Sequence, residues 1–277
     1  MRAYVAFDDT DTIDADRGTG KVGRWFANRL PAGCRSFGVV RQQLLVHPDV
    51  PYTSHNSAAV VIVELPPGSG TGDGPPRALL DELVARATDH LHDHWMEGSD
   101  PGLCVAWDGC PALASLVAFG RRAAVSVVSQ RQAHEAAGAG AHLSGHGGTN
   151  DGVIGAAAGV GLTAGGWNGR FIELDAGGRL LRDFPDPVPI GELEAGGIAV
   201  SALDRDAPVP LPDDLVVTNG WLRPRLWGGR AVLPVERLDD VRDRRWLAVA
   251  SLKRAAERLV DEIETGIDDE VEDGVEG

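Results

Sequence analysis

The sequence predicts an α/β (α+β) fold, and three observations carry that expectation. An apolar, strand-like run, Arg2–Phe7, opens the chain and stops abruptly at Asp8-Asp9-Thr10-Asp11. Short β-branched runs then alternate with stretches of helical periodicity as far as about residue 186. From Pro187 onward short apolar runs are separated by Pro, Gly and Asp, which predicts a small β-rich module over 187–263. With 277 residues the chain can hold one large domain or two modest ones, each with an adequate core.

The elements follow in order. Gly20–Leu30 has amphipathic helical spacing and is stopped by Pro31. Phe37–Val46 and the β-branched run Ala58–Leu65 are the second and third strands, joined through the loop His47–Pro51. Pro66–Pro76, rich in Gly and Pro, is a surface connection leading to the helix Arg77–Met96. A turn at Asp100-Pro101-Gly102 precedes a short strand, Leu103–Ala106. Cys110–Phe119 reads as helix, as does Ser129–Gly138 with Ser129 as its N-cap. The loop Gly145–Gly152 opens into an Ala- and Gly-rich helix, Val153–Leu162. Arg170–Leu174 and Arg179–Leu181 form a hairpin across Asp175–Gly178, a second hairpin turns at Gly228-Gly229, and a charged helix spans Leu238–Ile263.

Composition narrows the class. Hydrophobic content of 43% and charged content of 24% are those of an ordinary globular protein. No apolar run approaches the roughly 20 residues of a membrane span, and Met1 leads directly into a strand, not a signal peptide. No membrane partner and a cytoplasmic location are expected. Cys34, Cys104 and Cys110 are odd in number and widely spaced, which suits neither a disulfide framework nor a zinc ribbon. The net charge is −15, unevenly spread: nine of the 41 acids lie from Asp261 onward, where there is no base, and the other 32 face 26 Lys and Arg. Residues 264–277 therefore read as a disordered acidic tail. The remaining acidic balance disfavours non-specific nucleic-acid binding.

Four clusters carry candidate chemistry. Asp8, Asp9 and Asp11 crowd three carboxylates at a strand end, where ligands bind in α/β proteins. Either they hold a hard cation such as Mg²⁺, itself holding a polyphosphate, or they cap the following loop. By strand alternation Asp9 and Asp11 converge while Asp8 turns away. Gly18-Thr19-Gly20-Lys21 is a glycine-rich basic loop at a helix start, suited to phosphate but lacking Walker spacing, so a flexible turn with a solvated Lys remains open. In Thr53–Ser57, His55 offers an acid/base or phosphate donor and Asn56 a ligand-orienting amide, unless the segment is simply a turn. In Gly147-Gly148-Thr149-Asn150-Asp151-Gly152, with His146, polar groups and glycines stand beside a helix N-terminus, while Asp151 alone would suit an N-cap. His90, His92 and His94 do not make a metal site on these grounds, because helical spacing aligns only His90 and His94.

Taken together, these segments resemble archaeal agmatidine synthetase, the tRNA-isoleucine 2-agmatinylcytidine synthetase family. The matching pieces are D-D-T-D at Asp8–Asp11, H-P-D-V-P-Y-T-S-H-N-S-A-A at His47–Ala59 and D-P-G at Asp100–Gly102. Two further pieces are R-R-A-A-V-S-V-V-S at Arg121–Ser129 and G-G-T-N-D-G-V-I-G-A-A-A-G-V-G at Gly147–Gly161, and the set spans roughly residues 2–175. The resemblance implies a kinase-like nucleotide domain with a ferredoxin-like domain over 1–186. It also implies chemistry in which ATP phosphorylates a cytidine carbonyl oxygen and an amine, agmatine, displaces the phosphate. In the family's first loop a Thr takes part in phosphoryl transfer; here that region is longer and only Thr19 lies nearby. The family's OB-fold and cysteine zinc ribbon, which grip tRNA, are not recognisable, and no cysteine follows residue 187.

The resulting expectation is an ATP/Mg²⁺-dependent phosphotransferase or ligase. Asp8, Asp9 and Asp11 hold the metal, and Lys21 with Arg121 or Arg122 neutralises phosphate charge. Thr10, Gly18, Thr19, Gly20, His55, Asn56, Gly147, Gly148, Thr149, Asp151 and Gly152 line the nucleotide or acceptor pocket. Charge and the missing zinc ribbon rank a small-molecule acceptor, such as an amine, ahead of tRNA. The alternatives are a tRNA-modifying ligase working with an RNA-binding partner, or a nucleotide-binding regulatory protein without catalysis.

Overall fold

The structure, a computed structural model, describes residues 1–50, 56–68, 74–220, 222–238 and 244–249. Strand β1 (Arg2–Asp8) is apolar on both faces, so it can only be a central strand: Ala3 to Phe7 are all buried. It pairs antiparallel with β3 (Ser57–Glu64) on one side and β4 (Gly102–Trp107) on the other. Strand β2 (Arg35–Gln43) lies beyond β3, and β6 (Arg170–Leu174) lies beyond β2. Strand β5 (His142–Gly145) closes the other edge beside β4.

Helices cover both faces of this half. The α1 helix (Thr19–Phe26) and α2 (Arg77–His94) bury Val22, Phe26, Leu83 and Leu91 against Val5, Phe7 and Val61. On the opposite face α5 (Gly152–Ala164) sits almost wholly buried against Ala6, Val60 and Cys104. Its Ala and Gly residues let α3 (Leu113–Ala123) approach closely: a Cβ on Gly120 would stand 2.7 Å from the Ala158 carbonyl oxygen. Helix α4 (Gln130–Ala137) begins with a capping box, in which Ser129 Oγ accepts from the Gln132 amide and the Gln132 side chain accepts from the Ser129 amide. Ser129→Ala should cost about 1 kcal/mol of stability, read as a lower denaturation midpoint, and an unchanged midpoint would contradict that role.

The sheet continues into the C-terminal part. The remaining elements are β7 (Val188–Pro189), α6 (Ile190–Ala195), β8 (Ile198–Ala202), β9 (Leu215–Val217), β10 (Arg225–Trp227), β11 (Arg230–Arg237) and β12 (Arg245–Ala248). Among the described residues they complete a 12-stranded sheet in the order β5-β4-β1-β3-β2-β6-β10-β11-β12-β9-β7, with β8 parallel to β11. The junction between the halves is the β6–β10 pair, Arg170 opposite Arg225. The mixed α/β class is as expected, and no described helix is long and apolar enough to cross a membrane.

Three local expectations are corrected. The helix placed over Leu238–Ile263 is a strand at Arg245–Ala248, because Trp246 is drawn into the core, its indole donating to Asp214 at 3.1 Å, while the backbone pairs with both β11 and β9. The hairpin after β6 reduces to a single bridge, Ala176 with Arg179, followed by a 3-10 turn at Leu181–Asp183. Asp175 closes that turn early by accepting from the Gly178 amide at 2.9 Å. Strand β5 was not anticipated, since His142–Gly145 has no β-branched residue and is specified by its pairing with β4. The hairpin at Gly228-Gly229 is present, both glycines having positive φ as its two-residue turn requires. The expected tail 264–277 lies outside the described residues, as do 239–243 and 250–263 of the expected helix.

Candidate functional site

A cleft of about 940 Å³ opens where β1 ends, between the start of α1, the ends of β2 and β3, and the N-terminal turns of α5. Asp8, Asp9 and Asp11 all line it, joined by Asp16 and Asp49 and, from distant parts of the chain, by Asp100 and Asp151. The strand alternation expected to turn Asp8 away fails because Asp9 adopts a left-handed backbone, φ 50°. The chain therefore kinks at the first residue past β1.

Five of these acids, Asp8, Asp9, Asp11, Asp100 and Asp151, play different parts. Asp8 packs against Gly155 of α5, so close that a Cβ there would collide with its carboxylate. Burial, reinforced by the charges of Asp9 and Asp11 and opposed by the Asp9 amide, pushes its pKa up to about 8. Asp9 is pushed up to about 6 by burial and then by the charge of Asp100, with Asp11 and Asp151 adding to it against an Asp100 backbone hydrogen bond. Asp11 does the capping: its Oδ1 accepts from both the amide and the hydroxyl of Thr19 at 2.9 Å, tying the loop to the first turn of α1. Thr10 is buried behind it and donates its hydroxyl to Thr19 Oγ1 at 3.1 Å.

The glycine-rich basic loop lines the cleft as Gly18, Thr19, Gly20 and Lys21. Lys21 holds its ammonium 5.3 Å from the centre of the Trp25 ring, near the α1 N-terminus. Asn56 also lines the cleft, its amide donating to the Leu45 carbonyl at 2.7 Å, so it braces β2 against β3. His55 lies outside the described residues.

Two groups of expected residues are placed elsewhere. Arg121 and Arg122 are exposed on the last turn of α3, outside the cleft wall, where Arg122 stacks on Phe119. Arg17, Lys21, Arg24, Arg41 and Arg223 are the cations that line it. In the loop before α5 only Asp151 reaches the cleft. Gly147 packs on Trp95 and Pro101, and Gly148 and Gly152 lie against Asp100 without room for a Cβ. Thr149 donates its amide and hydroxyl to the Asp100 carboxylate at 2.7 and 2.9 Å, and Gln130 donates to Asp151 at 2.6 Å. The loop is thus a scaffold that aims two carboxylates, its glycines packed closely against Trp95, Asp100 and Pro101. Asp151 occupies the N-cap position of α5, but its side chain makes no capping hydrogen bond.

Sequence reasoning missed Asp100, although the Asp-Pro-Gly turn marked its position, and missed the arginines on β2 and before β10. Among the described residues no three His, Cys, Asp or Glu side chains are arranged to hold a metal ion unaided. The donor set nonetheless fits Mg²⁺ of the kind bound through one or two carboxylates, the rest of its shell being water and phosphate oxygens. Adjacent acids held partly protonated by burial and mutual repulsion are relieved by such a cation.

Fold and cleft together define an α/β protein whose cleft sets clustered carboxylates against clustered cations. The chain is similar to solved structures of TiaS, the tRNA agmatidine synthetase. The complex of TiaS with its isoleucine tRNA and ATP aligns at 25% identity and a TM-score of 0.47, covering 58% of this chain and 36% of that one. The complex of TiaS with the same tRNA, AMPCPP and agmatine aligns at 25% identity and a TM-score of 0.45, with the same coverage. A tRNA fluorescent labeling enzyme aligns at 26% identity and a TM-score of 0.46, again over 58% of this chain and 36% of that one. The aligned part is thus little more than a third of those proteins' length. No family model matches the chain, and no curated protein matches it.

Proposed function

We propose that the chain is an ATP-dependent ligase that activates a carbonyl oxygen of a tRNA cytidine by phosphorylation, after which an amine displaces the phosphate. The observation that carries this reading is the cleft itself. Asp8 and Asp9, their pKa values raised by burial and by neighbouring carboxylates, line the same cleft as Arg17 and Lys21, and its volume of about 940 Å³ is at the upper end of small-ligand sites. That space suits a nucleotide with a second reactant beside it.

In this mechanism Asp8 and Asp9 would hold Mg²⁺, which would supply charge neutralisation on the phosphates. Asp11 and Thr10 fix Thr19 and the first turn of α1, so that its amides and Lys21 meet the phosphate chain. The acceptor oxygen forms a bond to the terminal phosphorus as ADP leaves. The amine nitrogen then attacks the activated carbon, losing a proton as inorganic phosphate departs.

The acidic balance of the whole chain favours a small neutral or cationic acceptor. Locally, however, Arg24, Arg41 and Arg223 make one wall of the cleft positive, which supports a phosphate-bearing acceptor instead. The domain division at about residue 186 belongs to the same proposal: the ATP site in 1–186, with 187–263 adding Arg223 to the acceptor side.

The test is product analysis of ATP and Mg²⁺ incubated with bulk tRNA and candidate amines. ATP consumption that requires both tRNA and an amine, with amine label entering RNA, is the expected result. ATP consumption with the amine alone would favour the free small-molecule acceptor. No consumption under any combination, in protein that binds ATP, would leave only a nucleotide-binding role.

A further inference from the structure

Arg41 in β2, Arg170 in β6 and Arg225 in β10 are direct register partners across three neighbouring strands. Register partners stand on one face of a sheet, roughly 5 Å apart, so these three guanidinium groups form a row across it. Like charges placed opposite one another destabilise a sheet; of the three, Arg41 donates its Nε to Ser57 Oγ at 2.8 Å. Arg24 of α1 and Arg223 carry the row into the cleft, whose wall they share with Arg41.

One acid near the row is shared with an arginine outside it. Glu173, an acid whose charge reaches Arg223, is engaged by Arg182 at 2.8 Å. Among the described residues the Nε of Arg225 is buried without a hydrogen-bond partner. Burial first, and Arg170 second, push the Arg225 pKa down to about 10, and burial with neighbouring arginines lowers those of Arg41 and Arg223. A chain with a net charge of −15 has gathered five arginines where they repel one another. An anion bound among them would relieve that cost, much as a cation would among the aspartates.

We propose that the row Arg41–Arg170–Arg225, with Arg24 and Arg223, binds a phosphate group of the acceptor at a site separate from the aspartates. The acceptor's identity rests on the function proposed above, whereas the anion site stands on the row itself. Phosphate is the matching chemistry. Its tetrahedral oxygens accept from several guanidinium forks at once, and its charge exceeds that of a carboxylate. Placement follows from the field in the cleft: the aspartates repel an anion, so the phosphate is retained at the arginine end and the uncharged reacting group extends toward Asp8 and Asp9. A free nucleotide and a phosphodiester chain both present this group.

The test is isothermal titration of the full chain in EDTA, which removes the metal-dependent site, with inorganic pyrophosphate, cytidine monophosphate and a short RNA oligonucleotide as probes. Wild type should bind at least one of them. Arg170→Gln and Arg225→Gln should each weaken that binding at least about tenfold, while Arg77→Gln on the distant α2 leaves it unchanged. Both row variants should melt no lower than wild type, since a repulsion has been removed, which separates lost binding from lost folding. Tighter binding of RNA than of the monophosphate, or the reverse, identifies the phosphate's source, and either supports the site. Wild-type affinity in both row variants, or no binding of any probe by wild type, overturns it. If ATP turnover is absent while this binding holds, the anion site survives and the ATP reading does not.

Discussion

Asp9→Asn is expected to lower ATP turnover at least about a hundredfold while leaving the fold intact. Asn is close to isosteric with Asp and tolerates the left-handed backbone at this position, φ 50°. Any lost activity therefore reports the missing charge, not a broken turn. The same substitution should stabilise the protein in the absence of metal. Folded Asp8 and Asp9 retain protons that the unfolded chain releases near the ordinary carboxylate value of 3.8, because their pKa values are raised to about 8 and about 6. Raised carboxylate pKa values mean that stability falls as pH climbs from about 4, through about 6 for Asp9 and toward about 8 for Asp8. Asp9→Asn removes one part of that fall, a gain of about 1 kcal/mol or more at pH 8. In a protein of this size that raises the melting temperature by about 2–4 °C per kcal/mol. Mg²⁺ with ATP should recover the same stability in wild type and much less in the variant. Undiminished turnover in a folded Asp9→Asn protein would remove Asp9 from the mechanism.

Gly161→Ala should produce the largest loss of stability, about 3 kcal/mol or more. Helix propensity alone argues the other way, since Ala is favoured over Gly by about 1 kcal/mol inside a helix. Packing decides the sign. A Cβ at Gly161 would overlap the Leu116 carbonyl group and crowd the Val117 amide, and these are backbone atoms of α3 with no rotamer to escape into. Accommodating it means separating α3 from α5, which carries Ala156, Ala157 and Val160 in the core. Urea unfolding monitored by circular dichroism measures the difference. A loss below about 1 kcal/mol would mean that the two helices are less tightly held than their geometry indicates.

Such close approaches mark the boundary of what is legible in the chain. The strands β1 and β3, the helix α2 and the capped start of α4 are all apparent from local pattern. Their signals are apolar runs, period and a Ser with Gln three residues on, each contained within a few neighbouring positions. The aspartate cluster is legible for the same reason, since three of its five members are nearly adjacent. The glycines of 147–152 are equally visible, but their purpose is not. A glycine required for ligand approach and one required for packing against Asp100 look identical until the other backbone is in place. The C-terminal part misled because the charged stretch after Leu238 suits a helix locally, whereas Trp246 gains more by entering the core between β11 and β9.

By itself the sequence determined the mixed α/β class, the central strand and the carboxylates at its end, because each depends on residues close together in the chain. Only the tertiary structure decided which other charges join them. Asp100 and Asp151 join the acids of the cleft through the packing of one loop against another, and strand register aligns Arg41, Arg170 and Arg225 into a cationic row. Register is a property of paired strands, shared between segments far apart along the chain, so no window of the sequence contains it.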